Sequence, residues 1–142
     1  MTAQSRLLAC GAVLLSVSIL MGQEDCSTDD LEISGVWHDD YGARHDIDST
    51  EWLMEGPGYS SAFYVDTYDN MTNYLVAQNS PDNDWYPGLW SRFDWTEPDE
   101  TGWYYCQTVY NAPTAEEAES AEPADSSDLD GGCGGFPWTH ME

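Results

Sequence analysis

Two histidines flank the first turn that the sequence predicts, and imidazole side chains are frequent metal ligands. His38 and His45 lie on either side of the segment Asp40-Tyr-Gly42. A two-residue turn would set the histidines opposite each other, where they could share a metal ion with Asp40, but it requires a positive φ at a tyrosine. A three-residue turn with Gly42 in the left-handed conformation instead pairs Trp37 with His45 and separates the histidines. The sequence favours this second register, so His38 and His45 are weak metal candidates and no metal site is predicted.

The acidic clusters are the second place where an ion could bind. The chain has 27 acidic residues against three basic ones, which gives a formal net charge of −24. Calcium prefers oxygen ligands, and the segments Asp82-Asn-Asp84 and Asp125-Ser-Ser-Asp-Leu-Asp130 supply carboxylates. Neither segment has the alternating ligands and distal glutamate of an EF-hand, so we expect solvated loops rather than a calcium site. A negative field of this size excludes nucleic acid and anionic lipid surfaces as partners.

Motifs of catalysis are missing from the sequence. It contains no Gly-x-Ser-x-Gly elbow, no His-Glu-x-x-His segment and no phosphate-binding glycine loop. Pairs of carboxylates, which glycoside hydrolysis needs, arise by chance among so many acidic residues. We therefore predict that the protein is not an enzyme and requires no cofactor.

Aromatic side chains are the remaining functional signal. The chain has 7 Trp, 9 Tyr and 3 Phe, and most of them lie between Trp37 and Tyr110. In a small β domain most of these rings are expected to fill the core. An exposed aromatic face bordered by Asp and Asn would instead bind saccharides or partner proteins by stacking and hydrogen bonding. The candidate residues for such a face are Trp85, Tyr86, Trp90 and Trp103.

Cysteine spacing predicts one disulfide bond and leaves one thiol unassigned. Cys106 and Cys133 are the natural pair in an oxidising compartment. Cys10 lies in the predicted signal peptide. Cys26 follows that signal closely, where bacterial lipoproteins carry their lipid, although the preceding Gln-Glu-Asp differs from the small and apolar residues that lipoprotein processing requires. A lipid anchor at Cys26, a soluble form and an intermolecular disulfide all remain open.

The elements that position these residues are short β-strands separated by turn signals. Apolar and aromatic residues alternate from residue 33 to residue 110, with turns near Gly42, Gly58 and Asn70. No helix-period segment interrupts them, so we predict an all-β antiparallel meander that forms a small barrel or a strongly curled sheet. Thr114 and Glu117 form a capping box for a short helix in the C-terminal tail. Phe136 and Trp138 suggest a last strand.

The chain divides into a leader and one domain. Residues 1–22 carry one arginine, an apolar run and a small residue at its end, the pattern of a secretory signal peptide. Residues 23–32 read as a polar linker. Residues 33–142 are expected to form a single β domain that includes a disulfide-stapled acidic tail (113–142). We expect export, to the outer membrane or periplasm if lipidated and otherwise to the periplasm or exterior.

Several sequence blocks resemble a group of uncharacterised exported bacterial proteins, many of which look like lipoproteins. The blocks are Gly35-Val-Trp-His-Asp-Asp-Tyr-Gly, Leu89-Trp-Ser-Arg-Phe-Asp-Trp, Tyr104-Tyr-Cys-Gln and Gly132-Cys-Gly-Gly-Phe-Pro-Trp-Thr. The resemblance covers residues 35–139 and implies a shared fold and an exported location, but no catalytic residues. A weaker likeness, at Gly35-x-Trp37, is to ligand-holding barrels of the lipocalin and avidin kind.

Two functions follow from this reading. The first is a non-catalytic structural or interaction module of the cell envelope, with an unknown envelope protein or saccharide as its partner and contact with the membrane only through a lipid anchor. The second is small-ligand or carbohydrate binding through an aromatic face or a barrel mouth. A cavity lined by Trp and Tyr would favour the second function, and a filled interior with a flat aromatic patch would favour the first.

Overall fold

The computed structural model describes residues 29–142 and is all-β, with eight strands and one short helix, α1 (Ala115–Glu119). In chain order the strands are β1 (Gly35–His38), β2 (Arg44–Ile47), β3 (Glu51–Gly56), β4 (Tyr59–Asp69), β5 (Tyr74–Asn79), β6 (Trp90–Trp95), β7 (Trp103–Ala112) and β8 (Thr139–Met141).

The eight strands form one sheet that curls into a nearly closed barrel. Each strand pairs antiparallel with the next one in the sequence, from β1 to β8. The backbone N–H of His38 donates to the carbonyl of Glu142 at 2.8 Å, and the N–H of Glu142 donates back to His38 at 3.0 Å. These bonds bring the end of β8 beside β1 and so remove the long free edges of an open sheet. The predicted meander and barrel are confirmed.

The turn between β1 and β2 has the predicted three-residue form. Gly42 has a φ of 86°, in the left-handed region that glycine adopts without a steric penalty. Trp37 pairs with His45 in the resulting register. The two histidines therefore lie on opposite faces: His45 points into the barrel and is buried, whereas His38 is exposed.

The two ends of the barrel differ in what covers them. The lower end carries the connections 47–51, 69–74 and 95–103. The upper end carries the connections 39–43, 56–59 and 80–89 and the start of the tail that joins β7 to β8. Residues 29–34 cross the lower end and insert the buried side chains of Leu31 and Ile33 into the aromatic core. Residues 29–32, which the sequence places in a linker, are thus in contact with the barrel.

Aromatic rings fill the interior. Trp52 stacks on Phe93 with ring centroids 4.4 Å apart, and Trp103 meets Trp37 edge-on at 5.5 Å. Offset and edge-to-face arrangements of this kind are the favoured geometries of aromatic pairs. Most of the Trp and Phe residues of the strands are therefore core residues.

The tail packs against the outside of β5, β6 and β7. Thr114 caps α1 by accepting a hydrogen bond from the Glu117 N–H, as the capping box predicts. The predicted disulfide between Cys106 and Cys133 is present, with Cα atoms 5.6 Å apart, and it ties the tail to β7. A return strand is present as β8, but it begins after Trp138, and Phe136 lies exposed in the preceding turn.

A buried ion pair lies beneath this tail. Arg92 and Asp94 both project from the outer face of β6, and their side chains are 3.0 Å apart. Arg92 also donates to the backbone carbonyls of Glu119 and Ala121, and Asp94 accepts from the Thr108 hydroxyl. Buried charges require such complete pairing, so these polar contacts fix where the tail docks.

The predicted signal peptide (1–22), Cys10 and Cys26 lie outside the described residues. Within residues 29–142, no helix has the length and apolar character that a membrane span requires.

Candidate ligand-binding site at the barrel mouth

A cavity of about 310 Å³ opens at the upper end of the barrel. Its floor is formed by inward-facing side chains of β3, β4 and β5, and its rim by the 56–59 turn, the 80–89 loop and the end of β7. The ten lining residues are Met54, Tyr59, Ser61, Phe63, Asn79, Asn83, Trp85, Tyr86, Gln107 and Tyr110. The volume is at the lower end of the range of about 300–1,000 Å³ that is typical of small-molecule sites.

Two buried asparagines hold the 80–89 loop beside the cavity. The Asn79 amide donates to the carbonyls of Tyr86 and Tyr110 at 2.9 and 3.0 Å and accepts from the Ser91 hydroxyl at 2.6 Å. Asn83 pairs with the backbone of Ala62 through two bonds of 2.8 Å, as a neighbouring strand would. Asn79 at the end of β5 and Asn83 inside the loop therefore fix the loop by hydrogen bonds. A rim that is ordered in advance lowers the entropic cost of binding.

The loop presents two aromatic rings at the rim. Trp85 is 72% exposed although it is the largest side chain in the loop. Tyr86 has a φ of 49°, which is uncommon for a residue other than glycine, and its ring lies 5.2 Å from that of Tyr110. Non-glycine residues in this conformation cost about 1–3 kcal/mol and cluster at functional sites. The strained backbone is thus a second sign that the rim is built for binding.

The opposite wall offers hydrogen-bonding groups. The Gln107 amide donates to the Ser91 hydroxyl at 3.0 Å. In the described part of the chain its carbonyl oxygen accepts no hydrogen bond, and the Ser61 hydroxyl also has no partner. The hydroxyls of Tyr59, Tyr86 and Tyr110 likewise form no hydrogen bond within the described residues. These groups are available to a ligand.

The cavity lining is electrically neutral. None of its ten residues carries a charge, in a chain with 27 acidic side chains. Acidic residues lie just outside the lining, at Asp82 and Asp84 in the same loop. This surrounding field repels anions, and the neutral lining offers no partner to any buried charge, so the site is suited to an uncharged ligand.

Asp39, His45 and Trp52 form a buried hydrogen-bonded chain inside the barrel. The Trp52 indole N–H donates to Nδ1 of His45 at 2.9 Å, so the ring hydrogen must lie on Nε2, which donates to the Asp39 carboxylate at 2.9 Å. Both imidazole nitrogens are therefore occupied. His45 has no lone pair free for a metal ion or for proton transfer to a ligand.

Burial determines the ionisation of this chain. Burial lowers the pKa of His45, and the neighbouring Asp39 only partly opposes the shift. For Asp39 burial acts to raise the pKa, but hydrogen bonds from His45 and from the backbone amides of Ala43 and Tyr41 outweigh it and hold the pKa below its usual value. Burial also raises the pKa of Tyr105, which packs beside His45. At neutral pH the network contains a carboxylate and neutral rings.

The sequence-predicted candidates are not brought together as one face. Trp85 and Tyr86 line the mouth cavity. Trp103 is 1% exposed and belongs to the core, and Trp90 is half-buried on the outer face, where it packs against the α1 region. Trp103 is therefore a core residue, and of the four candidates only Trp85 and Tyr86, at the rim, are placed to contact a ligand. Alternation along the strands separates inward from outward residues, but it does not tell which end of a barrel is open.

The metal candidates are also separated by the register. His38 is exposed and His45 is enclosed between Asp39 and Trp52. Within residues 29–142, no group of three histidine, cysteine or acidic side chains is close enough together to hold a metal ion. Segment 125–130 is an exposed loop in which Asp125 and Asp128 accept hydrogen bonds from nearby backbone amides and from the Ser127 hydroxyl. In segment 82–84 the two aspartates are exposed, whereas Asn83 between them is buried.

The residues that sequence reasoning missed are buried or half-buried polar ones. Asn79, Asn83 and Gln107 arrange the mouth, and none of them belongs to a motif. A weak signal was present, because Asn79 ends an apolar strand at the point where a polar loop begins. No family model matches this sequence, and neither a curated protein nor a solved structure matches it.

Proposed function

We propose that this protein is a non-catalytic binding module that takes an uncharged saccharide into the mouth of its barrel. The observation that carries the proposal is the neutral, aromatic and hydroxyl-rich cavity in a chain of net charge −24. In a chain with so many acidic residues, a cavity lined without charged side chains is a site where a charged side chain would be unfavourable.

The chemistry of the lining selects the ligand class. The rings of Trp85 and Tyr86 can cover the flat C–H face of a sugar. The free groups of Ser61, Gln107 and Tyr59 can pair with its hydroxyls. A wholly apolar ligand would leave these polar groups without partners, at a cost of about 1–3 kcal/mol for each buried group. A saccharide satisfies both requirements with one molecule.

The cavity favours this function over a structural or interaction module. A structural or interaction module would have a filled interior and a flat exposed aromatic patch. The interior is filled at the lower end, but the upper end opens into a concave site with a rim fixed by hydrogen bonds. A protein interface of ordinary size is flat and much larger than this mouth.

The test is calorimetric titration with uncharged mono- and oligosaccharides. We expect Trp85→Ala to weaken binding about tenfold, because it removes one stacking surface. Met71→Ala is the matched control, since Met71 is 94% exposed at the lower end of the barrel. The proposal fails if no saccharide binds, or if both substitutions change the affinity equally.

We also propose that the protein acts after export. The Cys106–Cys133 bond supports this, because disulfides persist in oxidising compartments and are rare in reducing ones. Intact mass of the protein from its own host tests it. Export predicts the loss of a leader near residue 22 and a mass lower by two hydrogens than the reduced form. Acyl groups on Cys26 would establish a lipoprotein, and a full-length reduced chain would refute export.

A further inference from the structure

A second cavity lies next to the mouth, on the side of the disulfide. It has a volume of about 300 Å³, and its walls come from the end of β7 and from the glycine-rich turn after the disulfide. The lining residues are Cys106, Gln107, Thr108, Tyr110, Cys133, Gly134 and Phe136. Like the mouth, this cavity is lined without a single charged side chain.

The two cavities share part of their walls. Gln107 and Tyr110 line both of them, so this part of β7 forms the wall between the two cavities. The pairing of β6 with β7 is irregular here, with register shifts between Trp90 and Phe93. Bulges of this kind re-aim side chains away from strict alternation, which explains how residues of one strand serve both sites.

An exposed phenyl ring borders the second cavity. Phe136 is 73% exposed, which matches Trp85 at 72%. Its backbone is fixed by two hydrogen bonds with Cys133, of 3.0 and 3.1 Å, and Cys133 is covalently tied to β7. The ring therefore stands on a rigid turn and has no large contact of its own with the rest of the described chain. A rigid and exposed ring beside a cavity is a ready-made stacking surface.

We propose that the second cavity is a further subsite of the mouth, and that the ligand is a linear uncharged oligosaccharide long enough to occupy both cavities. This inference rests on the proposed saccharide-binding function. A single sugar ring in the mouth reaches Trp85 and Tyr86 but not Phe136. A chain that continues past Tyr110 contacts all of these rings in turn and places its hydroxyls beside the Gln107 amide.

Chain length supplies the test. Calorimetry on the oxidised protein uses cello-, malto- and N-acetylated chito-oligosaccharides of one to six units. For the best-bound series, the wild type should bind an oligomer at least about tenfold more tightly than the shortest ligand it binds, because the added units gain a second stacking surface. Phe136→Ala should remove this gain and leave the affinity for the shortest ligand unchanged. Trp85→Ala should weaken every length equally.

The outcomes separate the two proposals. If the wild type binds short and long members equally, or if Phe136→Ala keeps the gain, the second subsite is refuted and the mouth site stands. If no saccharide of any length binds, the proposed function itself fails. An unchanged melting temperature and an intact disulfide in Phe136→Ala show that the variant is folded, as expected for so exposed a residue.

Discussion

The two ends of the barrel use the same kinds of residue for opposite purposes. At the lower end aromatic rings are covered by Leu31 and Ile33, and the cavity beside Met71 and Trp95 has a volume of only about 180 Å³. At the upper end aromatic rings stand at the rim of a cavity, and Trp85 is mostly exposed. Residue type alone does not separate the core from the site. What separates them is whether a neighbouring segment covers the rings.

The cause of the difference is the way in which each end is held. Residues 29–34 cross the lower end and contribute apolar side chains, which exclude water. The 80–89 loop is held by the amides of Asn79 and Asn83, so it rises beside the barrel instead of filling it. Apolar contacts close one end, and directional hydrogen bonds keep the other open.

The largest expected effect contrasts two tryptophans. Trp52→Ala removes a fully buried ring that stacks on Phe93 and donates to His45, so the free energy of unfolding should fall by about 3–5 kcal/mol. Trp85→Ala should change it by less than about 0.5 kcal/mol, because the ring is exposed. Urea denaturation measures both values. Similar losses would show that the upper rim is part of the core.

The disulfide has the next largest expected effect. Cys133→Ser opens a bond between residues 27 positions apart and should lower the free energy of unfolding by about 3 kcal/mol. Reductant should lower the stability of the wild type by the same amount. The matched control is reductant added to Cys133→Ser, which should have no further effect. A wild type whose stability is insensitive to reductant would show that hydrogen bonds alone hold the tail.

Acidification should weaken the interior through His45, with a smaller effect. The folded-state pKa lies below the unfolded value of 6.5, so below pH 6.5 the unfolded chain binds a proton that the folded chain does not. The free energy of unfolding therefore decreases as the pH is lowered below 6.5, until the folded imidazole also becomes protonated. Asp39 acts in the same direction below 3.8, since its stabilising charge is lost as the pH falls through its lowered pKa.

His45→Gln isolates this effect from the other titrating groups. A glutamine can accept from Trp52 and donate to Asp39 without titrating. The stability advantage of the wild type over this variant should shrink as the pH falls from about 8 to about 5. Denaturation curves at each pH measure it. An advantage that stays constant with pH would mean that His45 does not remain neutral in the folded barrel.

Local signals in the sequence predicted the fold well. The turn at Gly42, the helix N-cap at Thr114 and the pairing of Cys106 with Cys133 each depend on a few neighbouring residues or on cysteine chemistry, and all three are confirmed. The alternation of apolar residues predicted the meander for the same reason. Such features need no knowledge of which distant segments meet.

Long-range contacts decided the rest. Leu31 stands in an acidic segment and reads as part of a linker, yet it is buried because its segment crosses the lower end of the barrel. Alternation along β6 places Arg92 and Asp94 on the outer face of the barrel. They are buried only because the tail covers them. The site depends on Asn79 and Asn83 meeting carbonyls far along the chain, and no local pattern encodes that meeting.

The smallest expected effect on stability concerns Tyr86. Its backbone is in the left-handed region, where glycine has no steric penalty, so Tyr86→Gly relieves strain while it adds flexibility to the unfolded chain. We expect the two terms to offset, with a change below about 0.5 kcal/mol in the free energy of unfolding. Tyr110→Gly, in β7, is the matched control and should cost about 1 kcal/mol. Urea denaturation distinguishes them. If Tyr86→Gly costs more than Tyr110→Gly, the ring of Tyr86 supports the fold, and the strained rim is not reserved for a ligand.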